Sequence, residues 1–386
     1  MADSSATGLD RTVHVDSLVI GGGLIGCGIA YHLAARGLED VLLLEAEEHG
    51  AGATGGSFGN VRQQFGTPLE VECSRRGLAF WKTIEAEFGV PCIFHQDGYL
   101  MVTANPDTAS LLEQHAAVQR AAGMPDIELL EGEAIREAAP FLHTDDLVYG
   151  SYTPLDGHVM GMDGIAAYVS GAKARGVRIR QHTPVRALER LDGRWHASTP
   201  DGVVTAKRVF IAAGAGTKAL VAPFGIELDI RSVSHLSVLS QPAYPGRTVP
   251  FTVDLDSGLA VEREGEQLVL AMLGRNPAPS DHAQLVDQFV AASTKRAPAL
   301  HELAIVRQMT AHPTVGGDGH PYVGIVDDDL WALAFVGHGI MHGPPLAEAL
   351  VRRALGDPDP DLDLSPWDLR RTPGPRSVLW RRNATN

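Results

Sequence analysis

A run of glycines between two apolar segments near the N-terminus constrains the fold of this chain more than any other feature. The run stands in VDSLVIGGGLIGCGIAYHLAARGLEDVLLLEAE, where SLVI and VLLLE read as strands and the apolar residues between them recur at helical spacing. The uncharged part is nearly as long as a membrane span, which needs about twenty residues. A strand, a glycine turn, a helix and a second strand within about thirty residues are instead typical of a βαβ unit that binds a dinucleotide.

Each part of this unit has a physical role in that hypothesis. Gly21 permits a tight turn, Gly23 lets the backbone approach a pyrophosphate, and Gly26 lets the helix lie close to the sheet. Unpaired N–H groups at the helix N-terminus attract phosphates, and Glu45 at the end of the second strand is expected to bind ribose hydroxyls. A glycine-rich turn in a parallel sheet is the alternative for the glycines alone. The predicted contacts are Gly21, Gly23, Leu24, Ile25, Gly26, Glu45 and Ala46.

Composition limits the class of protein and its ligands. The chain has 386 residues, of which 44% are hydrophobic, enough for a substantial core and for two domains. A formal net charge of −15 without a long basic block argues against nucleic acid and against an anionic membrane as partners. Small molecules are therefore the expected ligands.

The cysteines and the N-terminus indicate the compartment. Cys27, Cys73 and Cys92 are odd in number and lack metal-ligand spacing, so they predict neither a disulfide framework nor a metal site. The first residues, MADSSATGLDRTVHV, have no basic region followed by an apolar one and do not read as a signal peptide. We therefore expect a cytoplasmic protein without a bound metal.

The βαβ unit alone does not distinguish NAD from FAD, so later segments have to. GAGATGGSFGNVRQQF is rich in small residues and reads either as backbone lining a ligand or as a solvated loop. LWALAFVGHGIMHGPPLAEALVRRALG reads as a strand, a glycine turn and a helix that has Pro344 and Pro345 in its first turn. The N-terminus of that helix would stabilise a reduced flavin, which is negative around N1 and the C2 carbonyl, whereas nicotinamide has no comparable anion. This second helix N-terminus favours FAD.

Four motifs in a fixed order make the chain resemble a known family. They are GxGxxG with Glu45, GATGGS followed by RQQF, RVFIAAGAGTKAL, and GHGIMHGPP. Together they resemble the FAD-dependent amine and amino-acid oxidoreductases of the D-amino acid oxidase superfamily, which includes glycine oxidase, sarcosine oxidase and dimethylglycine dehydrogenase. The RQQF and GHG motifs are most similar to those of the β subunits of heterotetrameric sarcosine oxidase and of dye-linked L-proline dehydrogenase. The resemblance covers nearly the whole chain.

The resemblance implies an α/β fold with two domains that are discontinuous in sequence. One is a Rossmann-like FAD-binding domain, and the other is an α+β substrate domain whose antiparallel sheet covers the flavin. Turn dipeptides at Asp192-Gly193 and Asp201-Gly202 predict a small antiparallel meander. The tail after Gly356 reads as a surface strap, with docking to a partner as the alternative. The assignment is 1–89, 162–229 and 327–386 for the FAD-binding domain, and 90–161 and 230–326 for the substrate domain.

The resemblance also implies the reaction, which is oxidation of a C–N bond. Hydride would leave the carbon beside a neutral amine for flavin N5, giving an imine that water hydrolyses, so no catalytic base is required. The substrate would be an amino acid or a secondary or cyclic amine, and O2 or another compound would accept the electrons. A partner subunit is a further expectation. Two alternatives stay open: a flavin-binding electron-transfer subunit, and a flavin monooxygenase, although those enzymes carry a GD pair where this chain has Gly337-His338-Gly339.

The residues that match the family motifs are the candidate site. His338 is expected at the edge of the flavin, Arg62 at a substrate carboxylate or at FAD, and His342 either in the pocket or in packing at the helix start. Arg231, His235 and Arg275 are further candidates in the substrate domain. Beyond the βαβ unit, FAD is expected to contact Thr54, Gly55, Gly56, Ser57, Arg62, Gln63, Gln64, Val185, Ala213, Gly214, Gly337, His338, Gly339, Ile340 and Met341.

Two departures from the family pattern affect the chemistry. Covalently flavinylated relatives carry a cysteine shortly before the GHG turn or a histidine in the early glycine loop, whereas RQMTAHPTVGGDGHPYVG has no cysteine and GATGGS no histidine. FAD is therefore expected to bind non-covalently. Monomeric sarcosine oxidases have two lysines at positions that here are Met341 and a residue near Val269. Their absence argues against sarcosine-like carboxylate binding and against fast use of oxygen.

Overall fold

The structure, a computed structural model, describes residues 12–233, 235–273 and 282–374. The strands in chain order are β1 (Val13–Ile20), β2 (Val41–Leu44), β3 (Asn60–Val61), β4 (Tyr99–Thr103), β5 (Glu128–Leu130), β6 (Tyr149–Thr153), β7 (Gly157–His158), β8 (Arg178–Arg180), β9 (Ala187–Leu191), β10 (Arg194–Thr199), β11 (Gly202–Ile211), β12 (Ile230–Ser232), β13 (His235–Ser240), β14 (Phe251–Asp254), β15 (Leu259–Glu264), β16 (Gln267–Met272), β17 (Ile305–Ala311), β18 (Thr314–Gly316), β19 (Tyr322–Asp327) and β20 (Leu330–Ala334). The helices are α1 (Leu24–Ala35), α2 (Pro68–Phe88), α3 (Pro106–Ala121), α4 (Gly132–Ala138), α5 (Gly161–Lys173), α6 (Thr217–Val221), α7 (His282–Arg296) and α8 (Gly339–Ala354).

The first sheet contains the predicted βαβ unit. Its strand order is β19-β20-β11-β1-β2-β8, and β1 is parallel to both of its neighbours, β2 and β11. The crossover from β1 to β2 passes through α1, as the hydrophobic spacing predicts. β19 pairs antiparallel with β20, so the first sheet also takes in a short stretch that the sequence analysis placed in the substrate domain.

The predicted antiparallel meander is present and leads into the first sheet. β9, β10 and the first half of β11 pair antiparallel in sequence order. Asp192 and Gly193 turn the chain with φ values of 49° and 75°, and Gly202 does so with φ of 120°. On its other edge, β11 runs parallel to β1 from Val204 to Ile211, so one long strand belongs to both the meander and the βαβ sheet.

The second sheet draws on two separated parts of the chain. Its order is β17-β13-β16-β15-β14-β4-β6-β5, which mixes strands from 99–153 with strands from 235–311. Neighbours are antiparallel except for β14 and β4, which are parallel. The family fold and its mixed α/β class are therefore as predicted. β3 and β7 form a separate two-stranded antiparallel ribbon. Along the chain, each of these two strands lies between a strand of the first sheet and a strand of the second sheet.

Four helices cover one face of the first sheet. α1 packs against α5 and α8, and α2 packs against α8. Trp81 of α2 and Tyr168 of α5 are both about 1% exposed in this layer. Burying a side chain of such size contributes on the order of 1.5–3 kcal/mol, so the layer holds the N-termini of α1 and α8 firmly at the carboxyl edge of the parallel strands.

The tail after α8 is tied to the body of the protein, as the strap prediction expects. Leu362, Leu364 and Trp367 are buried, and the Arg371 guanidinium lies 2.8 Å from an Asp318 carboxylate oxygen. The arginines at the end of the tail lie at 376–382, outside the described residues. Across the three described ranges, no helix combines the length and the apolarity needed to cross a membrane.

Candidate active site

The glycine turn after β1 is packed so tightly that side chains are excluded at two positions. Gly21 has φ of 111°, which favours glycine, and a Cβ there would overlap the carbonyl of Ala212. A Cβ on Gly26 would overlap the Gly21 carbonyl oxygen, so α1 lies directly against the turn. Gly26 therefore acts through packing, and the N-terminus of α1 is held at the end of β1.

The N-terminus of α1 leaves room for an anion. Gly23 is the N-cap and supplies no side-chain hydrogen bond, so the first N–H groups are not capped by their own residue. The Leu24 N–H donates to Thr54 Oγ1 over 3.3 Å. Glu45 accepts hydrogen bonds from the Gly22 N–H and, over 2.8 Å, from the Glu47 N–H. Its carboxylate is thus bonded to the glycine turn itself, where a ribose hydroxyl would reach it.

A cavity of about 930 Å³ begins at this turn and extends to the GHG turn before α8. Its volume is near the upper end of ligand pockets, about 300–1,000 Å³. The predicted residues that line it are Gly21, Gly23, Leu24, Ile25, Glu45, Ala46, Thr54, Gly56, Ser57, Arg62, Val185, Ala213, Gly214, Gly337, His338, Gly339, Ile340 and Met341. Segments from both ends and the middle of the chain therefore share one elongated space.

Two predicted glycine contacts lie behind the cavity wall. Gly26 and Gly55 are not part of the lining. Gly26 faces Gly21, as described above, and a Cβ on Gly55 would overlap the Gly50 carbonyl oxygen. The prediction of ligand contact at these two positions is corrected to tight backbone packing that shapes the loop.

Gln63 and Gln64 also lie outside the lining, because their side chains point into the protein. The Gln63 backbone N–H and Nε2 donate to the two carboxylate oxygens of Asp156, over 3.1 Å and 2.9 Å. Gln64 Nε2 donates to the Tyr99 carbonyl, and its Oε1 accepts from Ser151. These residues anchor the segment that carries Arg62 and do not face a ligand.

Arg62 is a buried cation at the cavity. Its side chain is 4% exposed, and its guanidinium carbon lies 4.0 Å from the centre of the Phe65 ring. It donates to the Gln64 carbonyl and, over 3.2 Å, to His338 Nε2. No carboxylate of the described residues forms a salt bridge with it. A buried charge that lacks a counter-ion is costly, which makes Arg62 a candidate partner for an anionic ligand.

His338 adopts the left-handed conformation, with φ of 60°, at the N-cap of α8. Burial lowers the pKa of its imidazole well below the ordinary value, and the positive charge of Arg62 lowers it further. Arginine can only donate hydrogen bonds, so Nε2 of the neutral ring is the acceptor and the ring proton lies on Nδ1. His338 therefore orients the Arg62 guanidinium at the mouth of a helix N-terminus.

α8 begins at Gly339, five residues earlier than the prolines suggested. Pro344 and Pro345 lie inside the helix, where each lacks the N–H that would bond the carbonyl four residues before it. Trp81 Nε1 donates to the Ile340 carbonyl over 2.8 Å and so supplies the hydrogen bond that Pro344 cannot. The prediction that the prolines occupy the first turn is wrong, because a donor from α2 makes an interior proline tolerable.

His342 does not line the cavity. Its Nε2 lies 2.8 Å from Ser74 Oγ, which itself donates to the Glu70 carbonyl, and its ring packs 4.6 Å from the Phe65 ring centre. Burial lowers the pKa of His342 to about 3, so its ring is neutral. The structure supports the packing alternative for His342 and not the pocket alternative.

The further candidate residues of the substrate domain differ in their position relative to the cavity. His235 lines the cavity, and its Nε2 has no hydrogen-bond partner among the described residues. Burial lowers the pKa of His235 to about 4. Arg231 is exposed and is not a lining residue, and Val269 is buried in β16 away from the cavity. Arg275 lies outside the described residues.

Further residues that line the cavity were not among the predicted contacts. Tyr99 is buried, and burial raises the pKa of its hydroxyl to about 12. Asn60 lines the cavity, and its Oδ1 has no hydrogen-bond partner within the described ranges. Asp318 lines the cavity while bound to Arg371. Asn60 and Asp318 both lie in glycine-rich segments that could have indicated a position beside the ligand, whereas Tyr99 had no such local signal.

A cavity that starts at a dinucleotide-type helix N-terminus and ends at a second, arginine-flanked one is the site of a flavin-dependent oxidoreductase. The chain belongs to the family described as FAD dependent oxidoreductase, which it matches over residues 16–353. The family inferred from the four motifs is confirmed, and with it FAD as the cofactor. The uncapped glycine turn and the Cβ-excluding packing around it fit a dinucleotide.

Individual relatives are similar over most of this chain. Mitochondrial dimethylglycine dehydrogenase of Rattus norvegicus is 27% identical over 383 residues, which cover 90% of this chain and 44% of that protein. The chain thus spans less than half the length of that relative. Glycine oxidase of Geobacillus kaustophilus is 26% identical over 377 residues, 93% of this chain and 98% of that protein. L-Proline dehydrogenase from P. horikoshii shares the fold with a TM-score of 0.85 at 24% identity, over 93% of this chain and 98% of that one.

Proposed function

We propose that this chain oxidises the C–N bond of an amino acid or of a secondary or cyclic amine that carries a carboxylate. One observation carries the proposal: Arg62, a buried guanidinium without a salt bridge in the described part of the chain, faces the cavity beside the GHG turn. Relatives named glycine oxidase and dimethylglycine dehydrogenase support an amino-acid substrate.

We assign FAD to the elongated cavity. The α1 N-terminus and Glu45 would hold the phosphates and the ribose, and the α8 N-terminus, from Gly339 to Met341, would face the flavin ring. When bound, FAD accepts the hydride that leaves the substrate carbon. We also keep the division into 1–89, 162–229 and 327–386 against 90–161 and 230–326 as a proposal, moving β19 to the FAD-binding part.

The chain's own residues bind and orient the substrate. Arg62 would hold the carboxylate with the N–H donors that the Gln64 carbonyl and His338 leave free, and His338 helps to fix the guanidinium plane by accepting from Nη2. Phe65 and Tyr99 flank the guanidinium, at 4.0 Å and 5.7 Å from its carbon, and limit water at the charge. This fixed geometry would hold the same carbon of the amine in the same position each time a substrate molecule binds.

An anaerobic panel of matched amines tests the function. Each amino acid or N-methyl amino acid is paired with the amine that lacks its carboxylate, and bleaching of the oxidised flavin spectrum is followed. We expect at least one carboxylate-bearing amine to bleach the flavin spectrum, and the matched amine without the carboxylate to bleach it much less. Bleaching by carboxylate-free amines alone would contradict the role of Arg62, and no bleaching by any amine would favour the electron-transfer alternative.

Two substitutions at Arg62 separate charge from shape. Arg62→Lys keeps the charge but loses the planar pair of donors, whereas Arg62→Gln loses the charge. We expect the preference for carboxylate-bearing substrates to fall in Arg62→Lys and to disappear in Arg62→Gln, with flavin content retained in both. A loss of flavin in both variants would instead assign Arg62 to the cofactor.

Non-covalent attachment of FAD stays a prediction with a direct test. The three cysteines, all of them within the described residues, are buried and do not line the cavity. Acid precipitation should leave the yellow colour in the supernatant, and colour in the protein pellet would contradict the prediction.

The remaining expectations are proposals of lower detail. The electron acceptor is O2 or another compound, and a partner subunit is supported by the similarity to the β subunit of sarcosine oxidase of Rhizobium meliloti, 24% identical over 325 residues. A cytoplasmic location also stays a prediction. Rapid flavin reduction by NADPH in air would support a monooxygenase, a class that none of the relatives named above represents.

A further inference from the structure

A cluster of metal-ligand side chains lies outside the cavity lining. His95, Asp97 and His158 each offer one ligand atom, and these atoms all lie within 4.8 Å of one another. His158 Nδ1 is 3.7 Å from Asp97 Oδ2. The expectation of no bound metal rested on the spacing of the three cysteines, whereas His95 and Asp97 meet His158 only in the folded chain.

The backbone holds the two imidazoles side by side. His95 and His158 form an antiparallel bridge in which each N–H donates to the other residue's carbonyl over 3.0 Å. Residues paired in this way have Cα atoms about 5.5 Å apart and side chains on the same face. The rings are nearly parallel, with centroids 4.6 Å apart and an interplanar angle of 10°. The backbone thus fixes both side chains on one face. Imidazole lone pairs lie in the ring plane, so the stacked rings would have to rotate about their side-chain bonds to point at one ion.

A second carboxylate, from a third part of the chain, completes the cluster. Glu262 of β15 is 5% exposed, and its Oε1 lies 4.0 Å from His158 Nδ1. Among the described residues, neither Glu262 nor Asp97 forms a salt bridge with lysine or arginine. The Glu262 side chain is 7% exposed and that of Asp97 is 23% exposed, so a cation beside them would offset the cost of removing these carboxylates from water.

We propose that His95, Asp97, His158 and Glu262 bind one divalent transition-metal ion, with zinc the best match. Two imidazoles and carboxylate oxygens are a donor set that zinc accepts, with metal–ligand distances of about 2.0–2.2 Å. Donors around a tetrahedral ion are then separated by about 3.3–3.6 Å. The observed separations of 3.7 Å and 4.0 Å are slightly longer, and the ligand atoms of His95, Asp97 and His158 all lie within 4.8 Å of one another. Rotation of the side chains would bring the donors to the distances that the ion requires.

The ion would connect three segments of the chain. It would join the loop before β4, which holds His95 and Asp97, to β7 and to β15. β7 pairs with β3, where Asn60 lies opposite His158 and lines the cavity. Metal binding would thus stiffen a support of the cavity wall without entering the cavity, and the proposal stands independently of the substrate.

Metal binding to the purified flavoprotein tests the proposal. The protein is stripped with EDTA, returned to metal-free buffer, and titrated calorimetrically with zinc chloride, with magnesium chloride as the comparison. We expect one zinc ion per chain, no comparable binding of magnesium, and a higher unfolding temperature with zinc. Absence of zinc binding by the wild-type protein would overturn the proposal.

Variants decide whether the ion lies at this cluster. His158→Gln and Glu262→Gln should each weaken zinc binding at least tenfold and abolish the zinc-dependent rise in unfolding temperature. The exposed His95 allows a milder variant, His95→Gln, that tests the same site if a buried substitution prevents folding. His143→Gln, at another exposed histidine, is the matched control and should bind as the wild type does. Unchanged binding in His95→Gln together with His158→Gln would place the ion elsewhere and refute the assignment.

Discussion

The hydrogen bond from the Trp81 indole N–H to the Ile340 carbonyl leads to a prediction that measures this one interaction separately from packing. Pro344 cannot donate to Ile340, so the indole N–H, at 2.8 Å, replaces the missing helix bond at the N-terminus that faces the cavity. Trp81→Phe removes this donor and leaves a buried carbonyl without a partner, which costs about 1–3 kcal/mol. It also removes part of a large ring from a site that is 1% exposed, so a packing loss adds to the first effect.

A double-mutant cycle separates these two contributions. In the Pro344→Ala background, the backbone N–H of residue 344 can bond Ile340 again, so Trp81→Phe should cost only its packing part. We expect the cost of Trp81→Phe to be about 1–3 kcal/mol smaller in that background than with proline present. Effects of proline on the unfolded chain cancel in this difference.

The free energy of unfolding of all four proteins is measured in urea at one fixed, saturating FAD concentration. Bound FAD adds to this free energy by an amount that depends on its affinity, so it contributes equally to the four proteins only if their FAD affinities are the same. FAD affinity is therefore determined for each variant as the control. If Trp81→Phe costs the same in both backgrounds to within about 0.5 kcal/mol, the indole does not replace the missing helix bond and the reasoning fails.

Three further predictions follow from the site. Glu45→Ala should weaken FAD binding by about 1.5–3 kcal/mol without altering the rate of reduction per bound flavin, and an unchanged dissociation constant in a fluorescence titration would count against the ribose assignment. His338→Ala should slow flavin reduction in anaerobic stopped flow by tenfold or more, about 1.4 kcal/mol in the barrier, because Arg62 loses its acceptor, whereas a lower unfolding temperature with normal reduction would show a structural role only. His320→Gln should destabilise the protein most between about pH 4.5 and 6.5. Burial opposes the charge on both partners, but the contact of Glu70 with His320, 3.3 Å apart, raises the pKa of His320 and lowers the pKa of Glu70. The contribution of His320 to stability is present below pH 6.5 and is lost as the pH rises through its folded pKa. The contribution of Glu70 is lost as the pH falls below 4.5. Equal destabilisation by His320→Gln at all pH values would therefore refute the pairing.

Local features were predictable wherever the chemistry depends on neighbours in sequence. Gly21, Gly23 and Glu45 are close along the chain, and the strand–turn–helix pattern between them leaves one arrangement that buries the apolar residues. The turn residues of the meander followed for the same reason, since Asp192 and Gly193 accept positive φ.

The start of α8 could not be predicted, because propensity placed the prolines at the first turn. The donor that allows Pro344 inside the helix belongs to Trp81, which lies 259 residues before its acceptor, Ile340. Likewise, nothing local distinguished His342, which packs on Ser74, from His338, which faces the cavity. The side of a helix that a residue presents depends on what the helix packs against.

The glycine-rich βαβ unit, its acidic end and the ordered motifs were decided by the sequence itself, because short-range geometry and steric exclusion act on adjacent residues. The tertiary structure alone decided the meeting of Arg62 with His338, which are 276 residues apart. It also decided the approach of His95, Asp97, His158 and Glu262 from three segments. Burial then sets the energetics of these groups, because a charge removed from water is costly unless an opposite charge or hydrogen bonds compensate for it.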